Sequence, residues 1–293
     1  MKRMLLIDGN FLMFQSFYAT YNPYNSYIMQ NSEGVTTNGT YQFFNMLFNL
    51  IDYLRPEYLF IAFDAPGKTF RHQQIQDYKA GRSKAPEIIF DQFKNTKQIL
   101  DELNIKHSEI VSYEADDLIA TLNSNIEADK FIYSKDKDLL QLVQPNTQII
   151  LKDTKINDFV FTNIDNFFDK YQMQPDQIPD FKGLFGDTSD NLSGVKGVGE
   201  KTAIKLLAEY KNLENIYQNL DKLTPALKTK LANDKENAFL CKKLALLEKN
   251  VPNLSTNLQT YQLNLQPNFQ TLEKLQLNRI IKKIKDYVNS NNR

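Results

Sequence analysis

The chain has 293 residues, of which 42% are apolar and 24% charged, ordinary proportions for a protein of about two globular domains. No run of 18 apolar residues and no secretory signal pattern occurs, so we expect a cytoplasmic protein without a membrane span. One cysteine and two histidines exclude a disulfide framework and a zinc site rich in either residue. A catalytic metal would need carboxylate ligands, which select hard ions such as Mg²⁺ or Mn²⁺.

Charge is balanced over the whole chain but is unevenly distributed. There are 35 basic and 35 acidic residues, so the net charge alone argues weakly against nucleic acid as a partner. Residues 66–97 nevertheless hold seven basic residues against three acids, and residues 273–293 hold six against two. The distribution therefore says more about possible partners than the sum does.

Strand and helix patterns alternate in the first half of the chain. Apolar runs predict strands over residues 2–8, 58–63, 106–111 and 130–133, and a terminal strand pair over 147–151 and 159–161. Helical spacing of apolar residues predicts helices over 38–54, 88–103 and 115–125. This alternation is typical of an α/β domain with a largely parallel sheet.

From about residue 175 the strand signal fades and helical patterns dominate. They cover residues 179–185, 200–210, 213–220, 226–233, 236–246 and 272–288. The sequence therefore predicts an α/β domain over residues 1–177 and a smaller all-helical domain over residues 178–293.

Nine acidic residues stand at the ends of predicted strands and at the starts of predicted helices. They are Asp8, Asp64, Glu114, Asp116, Asp117, Asp136, Asp138, Asp187 and Asp190. Ligand crevices in open α/β sheets lie at the carboxyl ends of the strands. Each acidic cluster alone is usually a helix cap or a solvated loop. Nine carboxylates at one edge would repel each other unless bound cations offset their charge, so together they predict a metal site.

Setting those nine acids aside leaves 26 acids against 35 basic residues. A protein that is basic apart from a metal pocket suits phosphodiester hydrolysis on nucleic acid, because the ions neutralise the pocket and basic side chains bind phosphates.

A glycine-rich hairpin over residues 194–203 resembles a helix-hairpin-helix. Gly197 and Gly199 allow close backbone approach to a phosphate just before a predicted helix. Lys196 and Lys201 would add positive charge there. The alternative is a plain glycine-rich loop between two helices.

The motifs LLIDGN, FDAPGKTFRH, YKAGR, YEADD, SKDKDL and GDTSDNLSGVKGVGEKTA follow one another along the chain. In this order they resemble the 5′ nuclease family, which comprises the 5′–3′ exonuclease domain of bacterial DNA polymerase I, phage 5′ exonucleases and flap endonucleases. The resemblance extends to about residue 250 and fits the free-standing bacterial form. It implies a PIN-like, Rossmann-like sheet domain with a helical arch at about 66–97, followed by a helical domain with a helix-hairpin-helix.

The resemblance also implies roles for single residues. The first of two metal clusters would contain Asp8, Asp64, Glu114 and Asp116, with Asp136 bridging toward it. The second would contain Asp138, Asp187 and Asp190, with Asp117 as nearby support. Lys79 and Arg82 would approach the scissile phosphate, Tyr78 would stack on an end base and Arg71 would contact another phosphate. Backbone carbonyls of Ser193, Val195 and Val198 would hold a potassium ion at the hairpin.

The activity that the resemblance implies is Mg²⁺-dependent 5′–3′ exonuclease and flap endonuclease cleavage of DNA with 5′ ends, flaps or nicks, by a monomer, in primer removal and repair. Two alternatives stay open. A non-catalytic binder of branched DNA is disfavoured because Asp138, Asp187 and Asp190 are retained. A PIN-type RNA nuclease is disfavoured by the hairpin, which serves duplex DNA.

Overall fold

Six strands form one sheet in the computed structural model, which describes residues 2–21, 28–81 and 84–291. They are β1 (Arg3–Asp8), β2 (Tyr58–Ala62), β3 (His107–Ser108), β4 (Asp129–Tyr133), β5 (Thr147–Asp153) and β6 (Asp158–Thr162). Their order across the sheet is β3-β2-β1-β4-β5-β6. All neighbouring pairs are parallel except β5 and β6, which are antiparallel. The predicted largely parallel sheet is confirmed, although β3 is shorter than the predicted strand.

Thirteen α-helices occur in the same described ranges. They are α1 (Gly9–Tyr18), α2 (Asn38–Leu54), α3 (Phe70–Gln74), α4 (Ile88–Glu102), α5 (Ala115–Asn125), α6 (Ile164–Tyr171), α7 (Ile178–Phe185), α8 (Glu200–Tyr210), α9 (Leu213–Gln218), α10 (Pro225–Asn233), α11 (Lys235–Ala245), α12 (Gln270–Lys274) and α13 (Asn278–Asn291). The sequence patterns predicted neither α1, α3 nor α6. Within these ranges, no helix combines the length and apolar character that a membrane span requires.

The helix predicted over 272–288 is instead the pair α12 and α13. Gln276 lies between them with a left-handed φ of 58°. An α-helix cannot continue through a residue in that conformation, so the chain turns there and starts a new helix.

Alternate residues of the strands face two separate apolar cores, as the two-residue period of a strand requires. On β1, Leu5 and Ile7 belong to a core formed with α1, α2 and α4. Met4 and Leu6 belong to the opposite core, which α5 covers. The sheet is therefore buried on both faces by the described residues, which leaves its strand ends as the place for a ligand.

A third apolar core holds together α7, α8, α9, α10 and α11. The chain after α11 returns to the sheet domain: Leu247 and Val251 join the core beneath α5, and Ile280 and Ile284 of α13 join the core beside α2. This packing differs from the predicted division, which places all of 178–293 in one helical domain. The apolar stripe of α13 finds its partner surface on α2, where Tyr287 lies edge-on to Phe48.

Gly183 sets how closely α7 and α11 can approach. A Cβ at this position would lie 2.8 Å from the carbonyl oxygen of Ala238. We expect Gly183→Val to force the two helices apart and to lower the free energy of unfolding by about 1–3 kcal/mol. Gly81→Val is the control, because a Cβ there meets no described atom within 4 Å. Equal stability of the two variants in chemical denaturation would contradict this explanation of the packing.

Candidate active site

Five of the predicted acids line one cleft of about 390 Å³. They are Asp8, Asp64, Glu114, Asp116 and Asp136. Asp8 ends β1, while Asp64 and Asp136 lie just beyond β2 and β4, which are the neighbours of β1 in the sheet. Glu114 precedes the first residue of α5. The carboxyl ends of adjacent parallel strands thus bring together side chains that are far apart in the sequence.

Small polar groups orient the carboxylates of this cleft. The Asn10 side-chain amide donates to Asp64 at 2.9 Å, and the backbone N–H of Ala115 donates to the other Asp64 oxygen at 2.8 Å. The Ser134 hydroxyl donates to Asp8 at 2.8 Å. Sequence patterns did not indicate Asn10 or Ser134, because a single polar residue next to a strand end carries no distinctive signal.

Three further acids form a second group next to the first. Asp138, Asp187 and Asp190 each present a carboxylate oxygen, and these oxygens lie within 4.8 Å of one another. The Tyr78 hydroxyl donates to Asp190 at 2.9 Å and lies 3.4 Å from Glu114, so it connects the second group to the first. The structure therefore brings eight of the nine predicted acids together in two adjoining groups.

Burial and repulsion by neighbouring acids make ionisation costly for three of these acids, Asp8, Asp116 and Asp138. Burial, with the nearby charge of Asp64 adding to it, raises the pKa of Asp8 from its ordinary 3.8 to about 7. Burial also raises the pKa of Asp138 to about 7, although Lys182 opposes the shift. The pKa of Asp116 lies well above its ordinary value for the same main reason, with Asp136 and Asp8 adding to it. A bound cation would favour the ionised forms.

Two lysines of the chain lie against these acids. The Lys79 ammonium is 2.8 Å from Glu114. The Lys182 ammonium contacts both Asp138 and Asp187. Burial alone would lower the pKa of Lys182, but the two carboxylates outweigh it and raise that pKa above the ordinary value, so the side chain stays charged. Sequence patterns did not indicate Lys182, whose only signal is a charge within the otherwise largely apolar segment of α7.

Arg71, for which a phosphate contact was predicted, and Asp117, which was predicted to support the metal cluster from nearby, form a buried ion pair. The Arg71 side chain is 1% exposed and that of Asp117 is 0% exposed. Two guanidinium nitrogens donate to the two Asp117 oxygens at 2.7 and 2.8 Å. Asp117 also accepts the backbone N–H of Glu114 at 3.0 Å. The pair thus holds the start of α5 in place behind the cleft, and a group so enclosed cannot reach DNA in this state.

Tyr78 is also buried, with 3% of its surface exposed. Its ring packs in a small cluster with Leu192, Cys241 and Leu244, which leaves no open face for the end base that it was predicted to stack on.

Arg82 lies outside the described residues. The segment 66–97, predicted as an arch, contains α3 and the start of α4 on either side of residues 82–83.

The hairpin presents its predicted DNA-binding residues to solvent. Lys196, Gly197, Gly199 and Lys201 are all exposed. Gly197 has a left-handed φ of 77°, and its carbonyl accepts the Lys230 ammonium at 2.9 Å. Gly199 comes directly before α8, so the free N–H groups of that helix start lie beside it.

The predicted potassium site lies in the same loop. Val195 and Val198 bury their side chains in the helical core, which fixes the backbone between them. The Val198 N–H donates to the Val195 carbonyl at 3.1 Å, while Ser193 is exposed. Binding of an ion by these carbonyls stays a prediction. Taken together, the two groups of acids at the edge of the largely parallel sheet form a candidate cation site. An exposed glycine hairpin follows the second group in the chain, so the site suits chemistry on phosphates.

Two family models match the chain. The N-terminal, resolvase-like domain of 5′–3′ exonucleases matches residues 3–172, and the C-terminal SAM fold of 5′–3′ exonucleases matches residues 173–271. The chain therefore belongs to the 5′–3′ exonuclease family, as the resemblance of its motifs implied.

Similar proteins include long and short relatives. DNA polymerase I of Streptococcus pneumoniae is 41% identical over 255 residues, which are 86% of this chain and 29% of that protein, so the chain spans less than a third of it. The 5′–3′ exonuclease of Mycoplasmopsis pulmonis is 37% identical over 279 residues, 94% of this chain and 90% of that protein. The T5 flap endonuclease, solved with DNA and metal ions, shares the fold: its TM-score is 0.68 at 17% identity over 97% of this chain and 98% of that one.

The buried ion pair predicts that Arg71 acts mainly on stability. Arg71→Met leaves the Asp117 charge buried without its partner, which should cost about 3–5 kcal/mol in unfolding free energy. The double variant Arg71→Met/Asp117→Asn removes both charges, keeps an acceptor for the Glu114 N–H and should recover most of that loss. Lys68→Met, an exposed basic residue of the same segment, is the control. If Arg71→Met kept full stability and lost only DNA affinity, Arg71 would be a phosphate contact after all.

The raised pKa of Asp8 predicts how stability depends on pH when divalent ions are chelated. Between pH 4 and 7 the unfolded chain releases this proton while the folded chain keeps it, so stability falls as the pH rises. We expect the unfolding temperature to drop by a few degrees over this range, and Asp8→Asn to flatten the drop. The exposed Asp169→Asn should leave it unchanged. Identical pH profiles for wild type and Asp8→Asn would show that Asp8 titrates normally.

Proposed function

We propose that this chain is a Mg²⁺-dependent 5′–3′ exonuclease and structure-specific flap endonuclease that hydrolyses DNA phosphodiesters. The observation that carries the proposal is the convergence of eight carboxylates at the carboxyl edge of the sheet. The names of the relatives, 5′–3′ exonuclease and flap endonuclease, support the same activity.

The donor set fits hard divalent cations. It consists of carboxylate oxygens, which suit Mg²⁺ or Mn²⁺ rather than softer ions. We assign one ion to Asp8, Asp64, Glu114, Asp116 and Asp136 and the other to Asp138, Asp187 and Asp190. When bound, two such ions would lower the pKa of water and would offset charge on the phosphodiester.

The chain's own residues supply orientation and further positive charge. Asn10 and Ser134 hold the carboxylates of Asp64 and Asp8 in fixed directions. Lys79 lines the cleft, so its ammonium can turn from Glu114 toward a phosphate and stabilise the charge that grows in the transition state. We assign the same role to Arg82, three residues further along the chain.

The hairpin would hold the duplex part of the substrate. Its exposed lysines and the N–H groups at the start of α8 suit phosphates of one strand. A potassium ion on the carbonyls of Ser193, Val195 and Val198 would add to this contact. The substrates are then DNA with 5′ ends, flaps or nicks, in primer removal and repair, and we propose that the protein acts as a cytoplasmic monomer.

Removing a cleft residue should separate catalysis from binding. We expect Asp64→Ala to lower single-turnover cleavage of a 5′-labelled flap by about 100-fold or more, because it removes a metal ligand, while DNA affinity stays nearly unchanged. Lys79→Ala should likewise lower the rate much more than the affinity, because its charge acts in the transition state. Asp169→Ala is the exposed control. Normal turnover of Asp64→Ala in saturating Mg²⁺ would refute its role, and equal losses of rate and affinity would make Lys79 a simple phosphate anchor.

Gly199 tests the hairpin. A Cβ there meets no described atom within 4 Å, so Gly199→Val should fold normally but block close approach of a phosphate. Affinity for duplex-containing substrate should fall. The slope of log affinity against log salt concentration should become shallower by roughly 0.9, the value for the loss of one phosphate contact. Cleavage of a short single strand should be nearly unchanged. Joint loss of both activities, or a changed circular dichroism spectrum, would make the glycine structural.

A further inference from the structure

The Lys182 ammonium is enclosed by the second carboxylate group. Its side chain is 7% exposed, and it contacts one oxygen of Asp138 and one of Asp187, the latter at 2.5 Å. Both acids belong to the three whose oxygens lie within 4.8 Å of one another. Three carboxylate oxygens at this spacing can bind one cation, and the lysine ammonium already contacts two of the three carboxylates.

The first group is arranged differently. Lys79 pairs with Glu114, one of five acids there, and its side chain is 18% exposed against 7% for Lys182. The Lys79 ammonium is thus more open to solvent than that of Lys182, so it can leave the first group more easily when an ion enters. An ion entering the second group must replace a buried ammonium that already holds two of the three acids.

We propose that Lys182 is an internal cation that occupies the second ion site until a divalent ion displaces it, a role that rests on the proposed function of Asp138, Asp187 and Asp190 as ligands. The lysine balances the acids while the site holds no ion, since buried charges need partners. It also lowers the affinity for the second ion, because the ion binds only when the ammonium leaves. The two ions thus bind with unequal strength, the second more weakly.

The displaced Lys182 side chain can turn into a neighbouring cleft. Lys182 also lines a cleft of about 230 Å³ between α7 and α8, and the same cleft is lined by Glu200, the first residue of α8. Glu200 is exposed and lines this cleft together with Lys137 and Lys170, so the displaced ammonium would be hydrated beside one carboxylate and two other lysines.

The test counts Mn²⁺ bound to the whole protein without DNA, by electron paramagnetic resonance of the free ion. Lys182→Met should bind the second Mn²⁺ at least tenfold more tightly than the wild type, because the competing charge is gone. Lys182→Arg keeps the charge and should bind it no more tightly than the wild type. Lys242→Met is the matched control, since Lys242 is a partly buried lysine that bridges Asp180 and Glu214 outside both acid groups.

A measurement on the wild type tests the proposal even if the Lys182 variants misfold. Nitrogen NMR of the lysine ammonium groups, with diamagnetic Mg²⁺ as the added ion, should show one signal, assigned to Lys182, that shifts only as the second ion binds. An unchanged second affinity in folded Lys182→Met, or no such signal change, would overturn the role of Lys182 while leaving the proposed function intact. Absence of any bound Mn²⁺ in the wild type would overturn the proposed function itself.

Discussion

Repulsion among eight carboxylates in two adjoining groups is the constraint on which the rest of this structure depends. Like charges at such short range cannot all stay ionised without positive partners. Within the chain itself, two lysine ammonium groups offset part of the negative charge, and the raised pKa values of Asp8 and Asp138 favour their uncharged forms. We propose that divalent ions take over that task when they bind, and that the phosphodiester then binds to the charge that the ions bring.

The fold explains why the acids meet. The strands β2, β1 and β4 are neighbours, so the residues that follow them reach one edge of the sheet. The second group is different, because Asp138 comes from the sheet domain whereas Asp187 and Asp190 lie between α7 and α8. An ion bound there would connect the sheet to the segment that carries the hairpin. The same ion would then hold the proposed catalytic centre and the proposed duplex-binding hairpin in a fixed relative position.

Much of this arrangement could be predicted from sequence because it depends on local pattern. Apolar runs ending in acids indicate strand ends, and parallel strands place their ends together. Local sequence pattern does not predict which polar side chains become buried. The resemblance of their motifs implied DNA contacts for Arg71 and Tyr78, yet tertiary packing encloses both side chains behind the cleft. Lys182 and the docking of α13 on α2 were missed for the same reason, since each depends on a partner surface far away in the chain.

The most direct test of the central claim is a crystal structure of the protein soaked with Mn²⁺, with anomalous scattering used to locate the ions. We predict one strong anomalous peak among Asp8, Asp64, Glu114, Asp116 and Asp136. A second, weaker peak should lie among Asp138, Asp187 and Asp190, with the Lys182 side chain moved away. A protein saturated with Mn²⁺ in solution but without a peak in either group would contradict the claim.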